Sequence, residues 1–386
     1  MTIKKENQQR REIQIKKKEK QRDVQFNFGQ LKTLKEKTMA RPILCTALLI
    51  IAITNYIDIV ESSTRHDNLI DRTDRPIIGV LAQEISWKLD AIWPGVYNSY
   101  IAASYIKFVE GGGARAVPIW IGKPRSYYEI MLKKLNGVLL PGGGTLFNQS
   151  HGYSDAGIHI YDIAKRMNDN GTYLPLFGTC LGFELLLFAS NENEEYRTYC
   201  SSQRQSLPLN FTKEFKDSRI FGTAPEHIIN ILKKEPVTSN FHSYCVTPKD
   251  MIDYGLDKTW KSLSTNLDEN GLEFISSIEH KHYPFYGVQF HPEKNVYEWI
   301  RNRNITHTMD SIISSQYFAM FFINECRKNG NHFNGLNEEN QALIYNFPVT
   351  YTGIQNSTFV QTYLFKCDVD YPDNRKKRNY YNVHLV

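Results

Sequence analysis

The sequence lacks the features that define several specialised classes of protein. Its 386 residues include only six cysteines, which excludes a small scaffold held together by disulfides. No apolar run reaches the roughly 20 residues that a membrane-spanning helix needs. No internal repeat is present, and no linker rich in proline, glycine or serine interrupts residues 75–330. With 41% hydrophobic residues, the chain is expected to fold as one globular domain, over residues 61–368, around a large core.

An excess of positive charge is also missing from most of the chain. The formal net charge is +5, but residues 1–38 alone hold twelve Lys or Arg against five Asp or Glu. Beyond residue 60 there are 33 basic and 35 acidic residues. A body that is nearly neutral offers no electrostatic basis for binding nucleic acid, so no such partner is expected. The basic leader and the charged tail at 369–386 are expected to be disordered.

An apolar segment, MARPILCTALLIIAI at 39–53, follows the leader. One arginine and then a short, mainly apolar run are typical of a secretory signal peptide, and the run is too short for a transmembrane helix. We therefore predict a signal segment over residues 39–60, with cleavage near 54–63. A signal anchor with a basic cytosolic tail is the alternative. The leader in front of this segment suggests that Met39 is the working start.

Glycosylation signals and cysteines both bear on the compartment. Five N-x-[ST] sequons lie downstream of the apolar segment, and they predict a glycosylated protein of the secretory pathway, extracellular or lysosomal. The five sequon asparagines are Asn148, Asn170, Asn210, Asn304 and Asn356. Because the number of cysteines beyond the signal segment is odd, at least one is unpaired or intermolecular in an oxidising compartment. Those five cysteines are Cys180, Cys200, Cys245, Cys326 and Cys367.

Apolar runs and helical patterns alternate from residue 76 onward. We predict strands at Pro76–Leu81, Ala114–Trp120, Gly137–Gly144, Tyr173–Gly178, Glu273–His280 and Tyr283–Phe290. We predict helices at Ser126–Asn136, Gly157–Asn168, Leu181–Ser190 and Ile312–Lys328, and a further helix with apolar spacing over Tyr97–Phe108 that stops at Gly111–Gly113. This order indicates an α/β fold with a mainly parallel central sheet and helices on both faces. In such folds the functional groups lie at the carboxyl ends of the strands.

Cys180 occupies a glycine-flanked turn between a predicted strand and a predicted helix, in the stretch GTCLG. Small neighbours permit the sharp bend of a nucleophile elbow. The helix N-terminus is expected to lower the pKa of the thiol, and the backbone N–H of Leu181 is placed to stabilise a developing oxyanion. The alternative is an inert buried cysteine, since free cysteine is among the most buried residue types.

The stretch FHPE supplies a partner for that cysteine at the end of a later strand. Residues two apart in an extended segment point the same way, so Glu293 is expected to orient His291. His291 can then take the proton of the thiol, which completes a nucleophile, a base and an orienting carboxylate. Taken alone, the same histidine is equally explained as a satisfied core residue.

The motifs LPGGG, GTCLGFE and YGVQFHPEK resemble the class I glutamine amidotransferase-like fold. Within that fold the chain most closely resembles the gamma-glutamyl hydrolases, over roughly residues 75–366, and PLNFT and NFH add to the resemblance. Glu184 stands where the amidotransferases usually carry glutamine. The gamma-glutamyl hydrolases share this glutamate, which favours the resemblance to them. The basic leader has no counterpart in the family.

The resemblance implies Cys180 as the nucleophile, His291 as the acid and base, and Glu293 as the supporting carboxylate. It also implies Gly143 and Leu181 as oxyanion-hole N–H donors. Two further substrate-site residues come from the resemblance alone, namely Tyr105 and His242. The expected reaction is cleavage of the gamma-glutamyl isopeptide bonds of folate and antifolate poly-gamma-glutamates, a small-molecule substrate, without metal or organic cofactor. Kinship also suggests a homodimer.

Two other functions remain compatible with the sequence. A glutaminase domain that delivers ammonia would need an acceptor domain or partner, and the stretch after residue 330 is too short to be one. A non-enzymatic secreted binding protein on the same fold is the other possibility. The presence of all three residues of the expected triad argues against the latter.

Overall fold

The structure is a computed structural model, and it describes residues 73–301, 303–355 and 357–366. The predicted leader, signal segment and charged tail lie outside the described residues, as do Asn356 and Cys367. Within the described residues, no helix has the length and apolar character needed to cross a membrane.

The described residues form fourteen strands and eleven α-helices. The strands are β1 (Ile77–Leu81), β2 (Gln83–Glu84), β3 (Ser99–Ala102), β4 (Arg115–Ile119), β5 (Gly137–Leu140), β6 (Leu176–Thr179), β7 (Thr198–Leu207), β8 (Asn210–Phe211), β9 (Thr238–Cys245), β10 (Trp260–Leu267), β11 (Glu273–His280), β12 (Phe285–Val288), β13 (Val349–Tyr351) and β14 (Gln361–Phe365). The α-helices are α1 (Trp87–Ile92), α2 (Ala103–Gly111), α3 (Arg125–Leu132), α4 (Tyr153–Asp169), α5 (Leu181–Ser190), α6 (Arg219–Gly222), α7 (Glu226–Lys234), α8 (Pro248–Asp253), α9 (Lys294–Tyr297), α10 (Met309–Cys326) and α11 (Leu336–Ala342).

The central sheet has eight strands in the order β4-β1-β5-β6-β12-β11-β10-β8. The five strands from β4 to β12 are parallel to their neighbours, and β11, β10 and β8 extend the sheet in antiparallel fashion. The predicted α/β fold with a mainly parallel sheet is therefore confirmed. Because β6 and β12 are adjacent and parallel, the turns that follow them meet at the same edge of the sheet.

Apolar residues on both sides of the sheet explain why helices cover both faces. In β1, Ile78 and Val80 point into one core with helices α2, α7 and α10, whereas Ile77 and Leu81 point into another with α3, α4 and α5. Successive residues of a strand face opposite sides, so a continuous apolar run requires cover on both.

The predicted helix Tyr97–Phe108 is partly wrong. Its first part, Ser99–Ala102, is β3, which pairs with β14 and β2 in a second sheet, and helix α2 starts only at Ala103. A helical spacing of apolar residues cannot reveal pairing with a strand near the end of the chain. The ribbon of β7 and β9 was also not predicted. The other predicted elements appear with shifted ends, and Leu181–Ser190 and Glu273–His280 appear with the predicted ends.

Candidate active site

Cys180 lies in a strained turn between β6 and α5. Its φ is 51° and its ψ is −109°, an uncommon conformation for a residue other than glycine. Its backbone N–H donates a 2.8 Å hydrogen bond to the carbonyl of Val288 at the end of β12. Strain of this kind is characteristic of functional turns and of the nucleophile elbow. The sharp bend expected from the glycines is therefore present.

The two glycines beside Cys180 are required by close backbone approach. A Cβ on Gly178 would lie 2.4 Å from the carbonyl oxygen of Gly182, and a Cβ on Gly182 would lie 1.9 Å from that of Leu140. Any larger residue would push α5 away from β5 and β6, because backbone atoms cannot move aside as side chains can. The glycines thus set the position at which the thiol is presented.

His291 and Glu293 form a direct pair just after β12. The Nδ1 of His291 lies 2.7 Å from Oε1 of Glu293, and both side chains are buried. The segment between them is not extended as predicted, because Glu293 has helical backbone angles and leads into α9. The pairing is nevertheless achieved. A carboxylate at Nδ1 favours a proton on that nitrogen, which leaves Nε2 as the basic one.

Gly142 marks the point where the predicted site residues converge. A Cβ placed there would lie 2.6 Å from the Tyr105 hydroxyl, 2.8 Å from Cε1 of His291 and 3.0 Å from Cβ of Cys180. Tyr105 also accepts a 2.9 Å hydrogen bond from the Gly142 N–H and lies 3.2 Å from Nδ1 of His291. Cys180, His291 and Tyr105, from three distant parts of the chain, therefore share one site.

The shifted pKa values favour a protonated thiol at Cys180 and a neutral imidazole at His291. Burial, followed by the negative charges of Glu184 and Glu293, raises the pKa of the Cys180 thiol, and the N–H of Leu181 only partly opposes this. The prediction that this pKa falls is therefore wrong, because burial outweighs the lowering effects of Lys294 and of the helix N-terminus. Burial also lowers the pKa of His291, against the effect of Glu293, so the imidazole is neutral and able to accept a proton.

The loop after β5 is held by a residue that sequence reasoning missed. Nε2 of Gln83 donates to the carbonyls of Pro141 and Gly142 at 3.0 and 3.1 Å, and its Oε1 accepts from the Tyr100 hydroxyl. A Cβ on Gly143 would lie 1.7 Å from Oε1 of Gln83. Gln83 thus positions the loop that carries the predicted oxyanion donor Gly143. Gln83 comes two residues after the end of β1, and a polar residue at the end of a predicted strand is the sequence signal that could have identified it.

A second buried network adjoins the sulfur on the side of α5. Nε2 of Gln289 lies 3.0 Å from Oε1 of Glu184 and 3.9 Å from the Cys180 sulfur. Arg197 donates to Glu184 at 3.0 Å, and its side chain is 7% exposed. Burial raises the pKa of Glu184, which Arg197 opposes by its positive charge. Glu184 was noted in the motif, whereas Gln289 and Arg197 were not singled out.

His242 does not join Cys180 and His291 in direct contact. It is buried on β9, with Nδ1 3.4 and 3.6 Å from the sulfurs of Cys245 and Cys200, which form a disulfide. Burial lowers the pKa of His242 to about 3, so the ring is neutral. The bonded sulfurs offer no thiolates, so this group does not fit a metal. Of the described cysteines, Cys180 and Cys326 are free.

Comparison with known proteins agrees with this geometry. The family model Peptidase C26 matches residues 76–293. Gamma-glutamyl hydrolase of Rattus norvegicus is 43% identical over 75% of this chain and 90% of that protein. The human enzyme of the same name is 41% identical over 76% and 91%, and gamma-glutamyl hydrolase B of Dictyostelium discoideum is 35% identical over 83% and 89%.

A solved structure of a glutamine amido transferase from Methylobacillus Flagellatus superposes with a TM-score of 0.37 and 9% identity, over 68% of this chain and 98% of that one. The family assignment depends instead on the sequence matches, which span the elbow, the glycine loop and the histidine segment. The chain belongs to the peptidase C26 family, together with the gamma-glutamyl hydrolases.

Proposed function

We propose that this protein hydrolyses the gamma-glutamyl isopeptide bonds of folate and antifolate poly-gamma-glutamates through an acyl-enzyme on Cys180. The observation that carries the proposal is the convergence of Cys180, His291 and Tyr105 on Gly142. A sulfur on a strained elbow beside a buried imidazole with its own carboxylate is the arrangement that nucleophilic acyl transfer requires. The relatives carry the name gamma-glutamyl hydrolase, which specifies the bond.

The first half of the reaction forms the acyl-enzyme. Nε2 of His291 takes the proton from the thiol as the sulfur attacks the gamma-carbonyl carbon, and Glu293 stabilises the imidazolium that results. The carbonyl oxygen gains negative charge, which the N–H groups of Leu181 and Gly143 stabilise. Because burial disfavours an isolated thiolate, this coupled proton transfer avoids a free charge in the resting site.

The second half releases both products. The imidazolium of His291 gives its proton to the departing alpha-amino nitrogen, the carbon–nitrogen bond breaks, and a thioester remains on Cys180. Water then enters and attacks the thioester while His291 takes one of its protons. The carboxylic acid product leaves, and the proton returns to the sulfur. No redox change occurs in any step.

Chromatographic analysis of the products from pteroylpentaglutamate tests the proposal. Cys180→Ala should abolish turnover without unfolding the protein, whereas Cys326→Ala, at the other free buried thiol, should retain it. A Cys180→Ala protein that shortened the substrate at the parent rate would refute the assignment of the nucleophile. Hydrolysis of free glutamine faster than that of the pteroyl substrate would favour the glutaminase alternative instead.

We also propose that the protein enters the secretory pathway, is N-glycosylated, reaches the lysosome or the extracellular space, and acts as a homodimer. Four sequon asparagines are exposed, namely Asn148, Asn170, Asn210 and Asn304, and exposure is what an acceptor needs. Nδ2 of Asn304 also donates to the carbonyl of Arg204, and a glycosylated amide keeps one N–H for that bond. The disulfide between Cys200 and Cys245 fits an oxidising compartment. N-terminal sequencing, glycosidase treatment and sedimentation of the secreted protein test these points separately.

A further inference from the structure

Two arginines lie beside the proposed base, separated from it by one aromatic ring. The ring of Phe241, on β9, packs edge-on against His291 with 6.1 Å between the ring centres. The guanidinium carbon of Arg303 lies 5.9 Å from the centre of the same Phe241 ring. Arg204, on β7, is close enough to act on Arg303 electrostatically. A path of three side chains thus runs from the reacting centre to a pair of guanidiniums.

Hydrogen bonds join the two segments that carry the arginines. Nδ2 of Asn304 donates to the carbonyl of Arg204 at 3.0 Å, and the Ser206 hydroxyl donates to the carbonyl of Asn304 at 2.9 Å. The Thr306 hydroxyl adds a 3.1 Å hydrogen bond to that of Ser206. The segment that carries Arg303 is therefore attached to the strand that carries Arg204. The fold therefore holds the backbones of Arg204 and Arg303 close together.

The charges of this pair are not balanced by acidic groups. Among the described residues, neither guanidinium forms a salt bridge, although Arg197 and Arg219 each do. Burial, together with the charge of Arg204, lowers the pKa of Arg303. The ammonium of Lys294 also lies 5.6 Å from the centre of the Phe241 ring, but it is 4.0 Å from Oε1 of Glu293, which offsets its charge. Two close, uncompensated cations favour an anion from outside the protein.

The chemistry of the reaction decides on which side of the scissile bond this pair lies. In the proposed function His291 protonates the departing amine, so the leaving portion of the substrate must pass His291. Phe241 packs against His291, and Arg303 lies over Phe241, so we assign these side chains to the leaving side. Each gamma-linked glutamate keeps a free alpha-carboxylate, so a leaving tail of several residues is a chain of anions. Guanidinium and carboxylate are well matched in shape and charge.

We propose that Arg204 and Arg303 form a subsite for the alpha-carboxylates of the leaving gamma-glutamyl tail. The inference rests on the proposed function. It assigns these arginines to substrate selection, because a tail with one residue on the leaving side ends before it reaches them. Bonds with several glutamates on the leaving side are then cleaved in preference to the terminal bond.

Turnover of two substrates that differ in tail length tests the subsite. The double variant Arg204→Gln/Arg303→Gln should lose at least about 10-fold in kcat/KM on pteroylpentaglutamate, mainly through KM, as charge-assisted hydrogen bonds are removed. Its kcat/KM on pteroyldiglutamate should stay within about 2-fold of the parent value. Lys258→Gln is the matched control, because Lys258 is exposed and precedes Trp260 at the opposite edge of the sheet.

Binding measured without turnover separates this inference from the proposed function. Gamma-linked tetraglutamate should bind Cys180→Ala protein more tightly than glutamate does, and added salt or the two arginine substitutions should weaken that binding. The subsite would be overturned if tetraglutamate bound equally to Cys180→Ala protein with and without the two arginine substitutions. An unchanged kcat/KM of the double arginine variant on pteroylpentaglutamate would also overturn it. Equal losses on both substrates would show a structural role instead. A parent enzyme that cleaves neither substrate while tetraglutamate still binds through the arginines would overturn the proposed function alone.

Discussion

The substitution Gly142→Ala should disable the site while leaving the fold in place. The added Cβ would meet the Tyr105 hydroxyl at 2.6 Å, His291 at 2.8 Å and Cys180 at 3.0 Å. Ordinary contact begins at 3.4 Å, so these groups must move by about 0.4–0.8 Å to accommodate one methyl group. The three affected side chains are the ones whose relative positions the reaction depends on.

The magnitude follows from this displacement. A misplacement of about 1 Å in a reacting constellation costs roughly 100-fold, so we expect kcat to fall by about 10- to 100-fold. Overpacking of a buried site costs about 1–3 kcal/mol of unfolding free energy, which the large core can absorb. Activity and stability are therefore expected to separate, with a large loss of the first and a modest loss of the second.

Steady-state kinetics on a pteroyl-gamma-glutamyl substrate, combined with denaturant unfolding, measures both effects. Gly335→Ala is a suitable control, because its added Cβ would meet nothing within 4 Å and its extended backbone accepts any residue. If Gly142→Ala protein kept the parent kcat, the convergence of the three side chains on this glycine would not describe the working site. If kcat fell only in proportion to the fraction of folded protein, that convergence would likewise be refuted.

Two further predictions concern the base and the disulfide. Neutral His291 is the active form, and because its pKa is lowered, the acid limb of the kcat/KM profile should lie below the usual imidazole value of 6.5. The substitution Glu293→Gln removes a negative charge that raises this pKa, so the acid limb should move to still lower pH. The same substitution should lower kcat by about 100-fold or more. A pH profile that moved upward instead would contradict the pairing. Replacing both Cys200 and Cys245 by Ser should lower the unfolding free energy by about 2–4 kcal/mol, because the disulfide closes a separation of 45 residues. Denaturant titration of the parent protein with a thiol reductant should show the same loss, and an unchanged midpoint in both experiments would exclude a stabilising bridge.

Local residue patterns account for the elements that were predicted well. Helix Leu181–Ser190 is apolar except for Glu184 and Ser190 and follows a glycine turn, and Glu273–His280 is a strand buried on both sides. Ser99–Ala102 failed because its strand partners include Gln361–Phe365, near the far end of the described chain. The pairing energy that makes it a strand is absent from any window of neighbouring residues.

The site residues also divide into those that local sequence predicts and those that depend on distant contacts. The pair of His291 and Glu293 is local, so two residues in sequence were enough to suggest it. Gln83 and Arg197 act through contacts with distant segments, and their sequence neighbours do not reveal which residues they contact. The raised pKa of Cys180 was also out of reach, because it depends chiefly on burial, which is a property of the whole packed molecule.

The sequence by itself determined most of the alternating strands and helices of the central sheet, the glycine-flanked bend at Cys180 and the family to which these motifs belong. Only the tertiary structure decided that β6 and β12 lie side by side, so that the thiol and the imidazole meet beside Gly142. The reason is physical. Local patterns record which face of an element is apolar, whereas distances and proton affinities between remote side chains exist only once those faces have packed together.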